Sequence, residues 1–146
     1  MAADTIARLI RYIKELGLPV LTEHVGADDP VGAFAAKIGT SKETLRALDV
    51  ERQDIAWLDQ ATHVVAEISG PSTGTGREIE YARTKGFFDK VPAQILVLYH
   101  REREYFASPM ISGMTPERYP NVIIRSYATL QEAKDLIREF LGRSQP

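Results

Sequence analysis

The sequence predicts an α/β fold built on a doubly wound parallel sheet with helices on both faces. Helix-like and strand-like segments alternate along the chain, and strands that are joined through helices lie parallel in one sheet. The third predicted strand, residues 94–100, is an almost continuous apolar run, which is typical of a strand buried on both faces. The chain has 146 residues and is 44% hydrophobic, which suffices for one core. We expect a single domain over residues 1–143 and a tail over residues 144–146.

The first part of the chain begins with a helix. Over residues 3–16, apolar residues recur every three or four positions and form one stripe, and Gly17 is suited to end the helix. Residues 19–25 have the composition of a short strand. The following loop, residues 26–41, is rich in Gly, Asp and Ala, and we expect a short helical turn at residues 34–38 within it.

The middle of the chain predicts a helix, a strand and a second helix. Residues 42–60 carry apolar side chains at helical spacing and follow Ser41, a suitable capping residue. Residues 63–69 form the second predicted strand. A Gly-rich turn, residues 70–76, leads into a helix over residues 75–85. The turn therefore lies at the carboxyl end of a strand, where ligands bind in sheets of this type.

The last part of the chain completes the sheet. After the apolar strand at residues 94–100, a long polar connection spans residues 101–120. Residues 121–127 form the fourth predicted strand, and residues 130–141 form a closing helix. The sequence thus predicts four parallel strands.

Composition excludes several classes of function. The net charge of −2 argues against a polycationic nucleic-acid binder, and the absence of cysteine excludes a disulfide framework, a zinc-thiolate site and a thiol nucleophile. No apolar stretch is long enough to cross a membrane. A signal-peptide core is not expected, because charged side chains interrupt the first apolar residues, namely Arg8, Arg11 and Lys14. We expect a soluble cytoplasmic protein, and the three histidines alone give no support for a metal site.

The Gly-rich turn has the features of a phosphate site. Gly74 and Gly76 allow the backbone to approach a ligand closely, and the N–H groups at the start of a helix favour an anion. Ser72 adds a hydroxyl donor. The turn matches neither the nucleotide-binding phosphate loop nor a full dinucleotide fingerprint. A strand-to-helix turn that is merely rich in glycine remains the alternative interpretation.

A carboxylate follows this turn. Glu78 lies in the first turn of the predicted helix, where the positive end of the helix dipole favours the ionised form. An ionised carboxylate beside a phosphate site is suited to attack an electrophilic sugar carbon. The alternative is a glutamate that only complements the helix dipole.

Several segments together resemble one enzyme family. They occur in a fixed order and cover nearly the whole chain: Leu21–Val25, Asp54–Leu58, Val64–Glu67, Pro71–Glu78 and Ser108–Gly113. This order resembles the 2'-deoxynucleoside 5'-monophosphate N-hydrolases, within the wider nucleoside 2-deoxyribosyltransferase family. The resemblance implies a Rossmann- or flavodoxin-like sheet, a nucleotide substrate and no cofactor.

The resemblance also implies catalytic roles. The family hydrolyses the N-glycosidic bond of nucleoside monophosphates and releases the free base and a sugar 5-phosphate. Glu78 matches the nucleophile that forms a covalent glycosyl-enzyme, and Asp54 matches a carboxylate that binds the sugar and manages protons. His24 matches a histidine near the base, and its ordinary pKa suits protonation of the leaving group.

Phosphate binding in the family uses two serines. Ser72 matches a serine in the turn, and Ser108 matches one that the neighbouring subunit of a homodimer supplies. The resemblance therefore implies a homodimer in which Ser108 completes the neighbour's site. Hydroxyl donors at the phosphate favour a nucleotide over an unphosphorylated nucleoside. A deoxyribosyltransferase remains an alternative.

The family's first strand is missing from this sequence. In the family a strand ending in a Gly-Ser loop precedes the first helix, whereas only Met1 and Ala2 precede Ala3 here. A truncated sequence, a partner chain that fills the gap, or a protein that binds nucleotide without turnover would each explain the absence. A non-catalytic nucleotide-binding module is therefore the second alternative.

Overall fold

A computed structural model describes residues 2–143 of the chain. The chain separates into two compact units, Met1–Trp57 and Leu58–Pro146. The expected tail over residues 144–146 lies outside the described residues. The single domain over residues 1–143 and the absence of the family's first strand both stay predictions.

The first unit is helical. It contains α1 (Ala2–Glu15), a 3-10 helix (Glu23–Gly26), α2 (Pro30–Lys37) and most of α3 (Ala47–Gln60). The side chain of Asp29 caps α2 by accepting a hydrogen bond from the N–H of Gly32 at 3.2 Å. Two of the buried residues in this unit are aromatic, and they recur in the site below: Phe34 and Trp57.

The strand predicted at residues 19–25 is wrong, because this segment forms turns and the 3-10 helix. Its backbone groups bond locally: the N–H of Val25 donates to the carbonyl of Thr22 at 3.1 Å, and that of Ala27 donates to the carbonyl of His24 at 3.0 Å. A strand has to pair with another strand to satisfy the same groups. Local turns therefore replace strand pairing here.

Helix α3 begins at Ala47, five residues later than the sequence predicts. The preceding segment contains Ser and Thr, whose side chains offer the backbone other hydrogen bonds. The hydroxyl of Thr44 lies 2.6 Å from that of Thr40 and 3.0 Å from that of Ser41. The N–H of Arg46 then donates to the carboxylate of Asp49 at 3.0 Å. These bonds hold a turn before the helix starts.

The second unit contains a parallel sheet with helices around it. The strands are β1 (His63–Glu67), β2 (Gln94–His100) and β3 (Val122–Tyr127), in the order β1-β2-β3, and both pairings are parallel. The helices are α4 (Thr73–Thr84), α5 (Pro109–Ser112) and α6 (Leu130–Arg143), with 3-10 helices at Lys85–Phe88 and Arg101–Phe106. The predicted α/β fold with a parallel sheet is confirmed, and the three later strands lie where the sequence places them.

The centre of the sheet is buried. Four successive residues of β2 are at most 1% exposed: Ile95, Leu96, Val97 and Leu98. Helix α4 packs against β1 and β2, and α6 packs against β2 and β3. Since the strands are parallel, their carboxyl ends at Glu67, His100 and Tyr127 meet at one edge of the sheet. Within residues 2–143, no helix has the length and apolar character to cross a membrane.

Candidate active site

The turn between β1 and α4 ends in a capped helix start. Ser72 is the N-cap of α4: its backbone is extended, and its hydroxyl oxygen accepts a hydrogen bond from the N–H of Thr75 at 3.2 Å. The helix therefore begins at Thr73, two residues before the predicted start. Gly74 and Gly76 belong to its first turn rather than to a loop.

The start of α4 is suited to an anion. The N–H groups of Thr73 and Gly74 have no carbonyl one turn earlier in the helix to which they could donate. The hydroxyl oxygen of Ser72 accepts from Thr75, which leaves its hydrogen to donate outwards. A Cβ added at Gly74 would meet nothing closer than the Ser72 hydroxyl at 3.9 Å, and one at Gly76 would meet nothing within 4 Å. The surface above this helix start is open.

This openness allows the phosphate role of Gly74 to be separated from a structural role. We expect Gly74→Ala to stabilise the fold by up to about 1 kcal/mol, because alanine is the better helix former and the added methyl group has room. The same methyl group would occupy the space in which a phosphate meets the backbone N–H groups. Thermal melts together with titration by a sugar 5-phosphate test this. A variant that is stabilised and binds as tightly as wild type would contradict the phosphate assignment.

Glu78 lies on the exposed side of α4, beside the buried Ile79. The prediction that it occupies the first helical turn is wrong, because the earlier start at Thr73 places it in the second turn. The helix dipole acts mainly within the first turn, so it stabilises this carboxylate less than the sequence suggests. Glu78 shares its helix with Ser72, Gly74 and Gly76, and the structure thus brings four predicted site residues together.

Ser108 lies elsewhere in the second unit, on the exposed N-cap of the short helix α5. Its side chain makes no capping hydrogen bond. The residues around it are apolar and unusually exposed: Tyr105 is 94% exposed, Phe106 49% and Met110 86%. The hydroxyl of Ser108 is therefore presented on an apolar surface.

His24 lies in an aromatic cluster of the first unit. Its ring centroid is 5.1 Å from that of Phe34 and 5.3 Å from that of Trp57. The ammonium of Lys37 lies 4.8 Å from the centroid of the Trp57 ring. Nδ1 of His24 is buried and makes no hydrogen bond within the described residues. Burial, and then the charge of Lys37, lower the pKa of His24, which favours the neutral ring.

Asp54 also lies in the first unit, on α3, one turn before Trp57. Its side chain is half-buried. Burial, and then repulsion by the charge of Glu51, raise the pKa of Asp54 above its ordinary value. The fold therefore favours the protonated form of Asp54 more than an exposed site would, which suits a group that exchanges protons with a substrate.

The raised pKa of Asp54 predicts a pH-dependent effect on stability. Its folded pKa exceeds its unfolded pKa, so its contribution to stability is lost as the pH rises through the folded value. We expect Asp54→Asn to raise the melting temperature at pH 8 relative to wild type and to have little effect near pH 3, where the carboxyl is largely protonated in both the folded and the unfolded state. Melting curves at the two pH values measure this. A lower melting temperature of the variant at pH 8 would show that the fold favours the charged carboxylate.

A hydrogen-bond network lies at the carboxyl edge of the sheet, and the sequence did not reveal it. The carboxylate of Glu67 accepts from the N–H of Ser69 at 2.5 Å and from the hydroxyl of Tyr127 at 3.3 Å. The hydroxyl oxygen of Ser69 accepts from the N–H of His100 at 2.7 Å, and its carbonyl accepts from Nε of Arg103 at 3.3 Å. Glu67 and Tyr127 are far apart in sequence, so only the position of each at a strand end could have indicated the pairing.

Among the residues that the structure describes, no group of three or more His, Asp or Glu side chains is placed to hold a metal ion. The candidate residues fall into two sets, one in each unit. His24 and Asp54 belong to the first unit, and the residues of α4 and Ser108 belong to the second.

Comparison with known proteins decides the family. A protein of Thermofilum pendens that is named for 2'-deoxynucleoside 5'-phosphate N-hydrolase activity is 32% identical over 143 residues, which are 98% of this chain and 87% of that protein. The chain belongs to this N-hydrolase family. As a family member it is an enzyme of the N-glycosyl hydrolase class. No protein-family model matches the chain.

Two further proteins extend the comparison. The 5-hydroxymethyl-dUMP N-hydrolase of Homo sapiens is 35% identical over 108 residues. The match covers 73% of the present chain and 53%, about half, of the human protein. The CMP N-glycosidase of Clostridium botulinum has the same fold, with a TM-score of 0.63 and 19% identity over 94% of this chain and 88% of that one. At this level of identity the similarity shows only that the two proteins share a Rossmann-like fold.

Proposed function

We propose that the protein hydrolyses the N-glycosidic bond of (deoxy)nucleoside 5'-monophosphates to the free base and (deoxy)ribose 5-phosphate. The observation that carries the proposal is the start of α4, where a serine cap and two glycines with open space above them share one helix with an exposed glutamate. The names of the relatives, which act on deoxynucleoside 5'-phosphates and 5-hydroxymethyl-dUMP, support the nucleotide class.

The phosphate group binds at the start of α4 in this proposal. The N–H groups of the first helical turn and the hydroxyl of Ser72 donate to its oxygens, and the helix dipole adds a favourable field. Gly74 and Gly76 leave the space that the phosphate fills. Recognition by such donors requires no cluster of lysines or arginines, which agrees with the net charge of −2.

Glu78 acts as the nucleophile. Its carboxylate attacks C1 of the sugar, the bond from C1 to the base nitrogen breaks, and the base leaves with the bonding electron pair. Water then attacks C1 of the glycosyl-enzyme, releases the Glu78 carboxylate and yields the sugar 5-phosphate. The position of Glu78 six residues after the N-cap supports this role, since one helix then carries both the phosphate donors and the nucleophile.

Protons are managed by the residues of the first unit. Asp54 contributes a carboxyl whose raised pKa allows it to hold a proton more readily than an exposed aspartate does. His24, whose lowered pKa favours the neutral ring, contributes a hydrogen bond to the leaving base. Both assignments rest on the family resemblance and on these local environments.

The protein acts as a homodimer in which Ser108 donates to the phosphate bound by the neighbouring subunit. Two observations support this arrangement. The side chain of Ser108 is not engaged in capping its own helix. The exposed apolar residues that flank it would lose contact with water against a second copy: Tyr105, Phe106 and Met110.

Incubation with a panel of deoxynucleoside and ribonucleoside 5'-monophosphates tests the function. We expect free base and sugar 5-phosphate in equal amounts, and no new nucleotide when a second free base is added. A new nucleotide in that second sample would identify a deoxyribosyltransferase. Binding that raises the melting temperature without release of base would identify a non-catalytic module and contradict the proposal.

A further inference from the structure

Three residues at the carboxyl edge of the sheet form what we call the edge clamp: Glu67, Ser69 and Tyr127. Glu67 ends β1 and Tyr127 ends β3, and these two strands are not neighbours, because β2 lies between them. The hydrogen bond of 3.3 Å from the Tyr127 hydroxyl to the Glu67 carboxylate therefore passes over the end of β2 and joins the two outer strands.

We propose that the edge clamp positions the phosphate-binding turn and that Glu67 and Tyr127 are positioning residues for phosphate recognition. This inference rests on the proposed function, because it takes the start of α4 as the phosphate site. Neither residue is assigned contact with the substrate. They act on the turn through Ser69, which precedes Ser72 by three residues.

Ser69 is the point at which the turn is fixed to the sheet. Its N–H donates to Glu67, its hydroxyl oxygen accepts from the N–H of His100, and its carbonyl accepts from Arg103. Ser69 is 6% exposed, whereas the residues from Pro71 to Gly74 are exposed. Ser69 is therefore held by hydrogen bonds directly before the exposed turn.

The polar groups of the clamp lower the stability of the fold unless each of them makes hydrogen bonds. Glu67 is half-buried, and removing a carboxylate from water even in part is unfavourable unless hydrogen bonds compensate it. Both oxygens of Glu67 accept a hydrogen bond, one from the turn and one from β3. Hydrogen bonds to a carboxylate fix direction as well as distance. The clamp therefore determines the angle at which the turn leaves β1.

Tyr127 donates over the whole working pH range. Burial, with the nearby charge of Glu67, raises the pKa of Tyr127 to about 12. The side chain is 4% exposed, and its ring contacts that of His100 edge-on at 5.4 Å between centroids. The ring of His100 is fixed in turn, since Nε2 lies 3.0 Å from the carbonyl of Ala128 and Nδ1 accepts from the N–H of Glu102 at 3.1 Å.

Tyr127→Phe tests the clamp, and Tyr99→Phe is its matched control. Tyr99 lies on β2, and its hydroxyl makes an exposed hydrogen bond of 3.5 Å to Glu104, outside the clamp. We expect Tyr127→Phe to weaken binding of ribose 5-phosphate, measured by calorimetry, roughly threefold to tenfold, and Tyr99→Phe to leave it unchanged. Amide hydrogen exchange at Thr75 and Gly76, whose N–H groups both donate to Ser72, should be faster in Tyr127→Phe alone.

Kinetics separate positioning from general destabilisation. We expect Tyr127→Phe and Glu67→Gln to raise KM for a nucleoside 5'-monophosphate and to leave KM for the corresponding nucleoside unchanged, because the nucleoside does not use the turn. Equal changes of KM for both substrates would overturn the proposal that the clamp positions the turn. The same holds if Tyr127→Phe has the affinity for ribose 5-phosphate and the amide exchange rates of the wild type.

The binding measurement is independent of turnover. If the wild-type protein releases no base but binds ribose 5-phosphate more tightly than Tyr127→Phe does, the result would contradict the proposed function and support the clamp. If the wild-type protein releases base, and Tyr127→Phe and Glu67→Gln match it in phosphate binding and KM, the clamp proposal alone would be overturned.

Discussion

Replacing Glu78 with Gln is expected to lower the rate of base release from a nucleoside 5'-monophosphate by a factor on the order of 10³ or more, because the amide is a poor nucleophile. Folding should be unaffected, since the side chain lies on the exposed side of α4. Affinity for the nucleotide should stay within a few-fold of wild type, because phosphate recognition uses other groups. Release of base, followed chromatographically, and a thermal melt measure the two effects.

Glu80→Gln is the matched control for this substitution. Glu80 lies two residues further along the same helix, is exposed and forms an ion pair with Arg83 at 2.5 Å. Loss of an exposed ion pair costs at most about 1 kcal/mol, so this variant should fold and retain activity. A Glu78→Gln variant that is as active as Glu80→Gln would rule out Glu78 as the nucleophile.

Mixed dimers of two impaired variants are expected to be more active than either parent. Ser108→Ala should lower kcat/KM for the nucleotide roughly 10-fold to 100-fold, because a hydrogen bond to the charged phosphate is lost. When Glu78→Gln and Ser108→Ala chains are combined, one of the two sites receives the intact Glu78 of one chain and the intact Ser108 of the other. A purified mixed dimer should then have about half of the wild-type activity.

Tagging the two variants differently allows the mixed dimer to be isolated after co-expression. Glu78→Gln mixed with wild type is the control, since it also contains one intact nucleophile per dimer. Activity of the mixed dimer no higher than that of Ser108→Ala alone would place Ser108 in the site of its own subunit. A protein that sediments as a monomer would contradict the dimer itself.

Much of the fold could be predicted from local sequence patterns. The three strands of the sheet are predicted to within two residues at their ends, because each contains a short run of apolar residues that is bounded by turn residues. The segment at residues 19–25 was misplaced because its composition suits a strand, while strand formation depends on a partner that the sequence pattern does not show. Tertiary context decided that segment.

The candidate site was predictable only in part. The relation between Ser72 and Glu78 follows from their spacing along one helix, although the capping geometry moved the helix start and placed Glu78 in the second turn. The pKa values of His24 and Asp54 could not be predicted, since burial is their main cause. The pairing of Glu67 with Tyr127 joins residues that are 60 positions apart, and only the sheet order brings them together.

The most direct test of the account compares one nucleoside 5'-monophosphate with the nucleoside that lacks only the phosphate. The measurement is kcat/KM for release of free base from each. Because the turn at the start of α4 is assigned to the phosphate, we predict a preference for the nucleotide of roughly 100-fold or more, as several hydrogen bonds to a charged group would provide. Equal kcat/KM values for the two compounds, or no release of base from the nucleotide, would contradict the account.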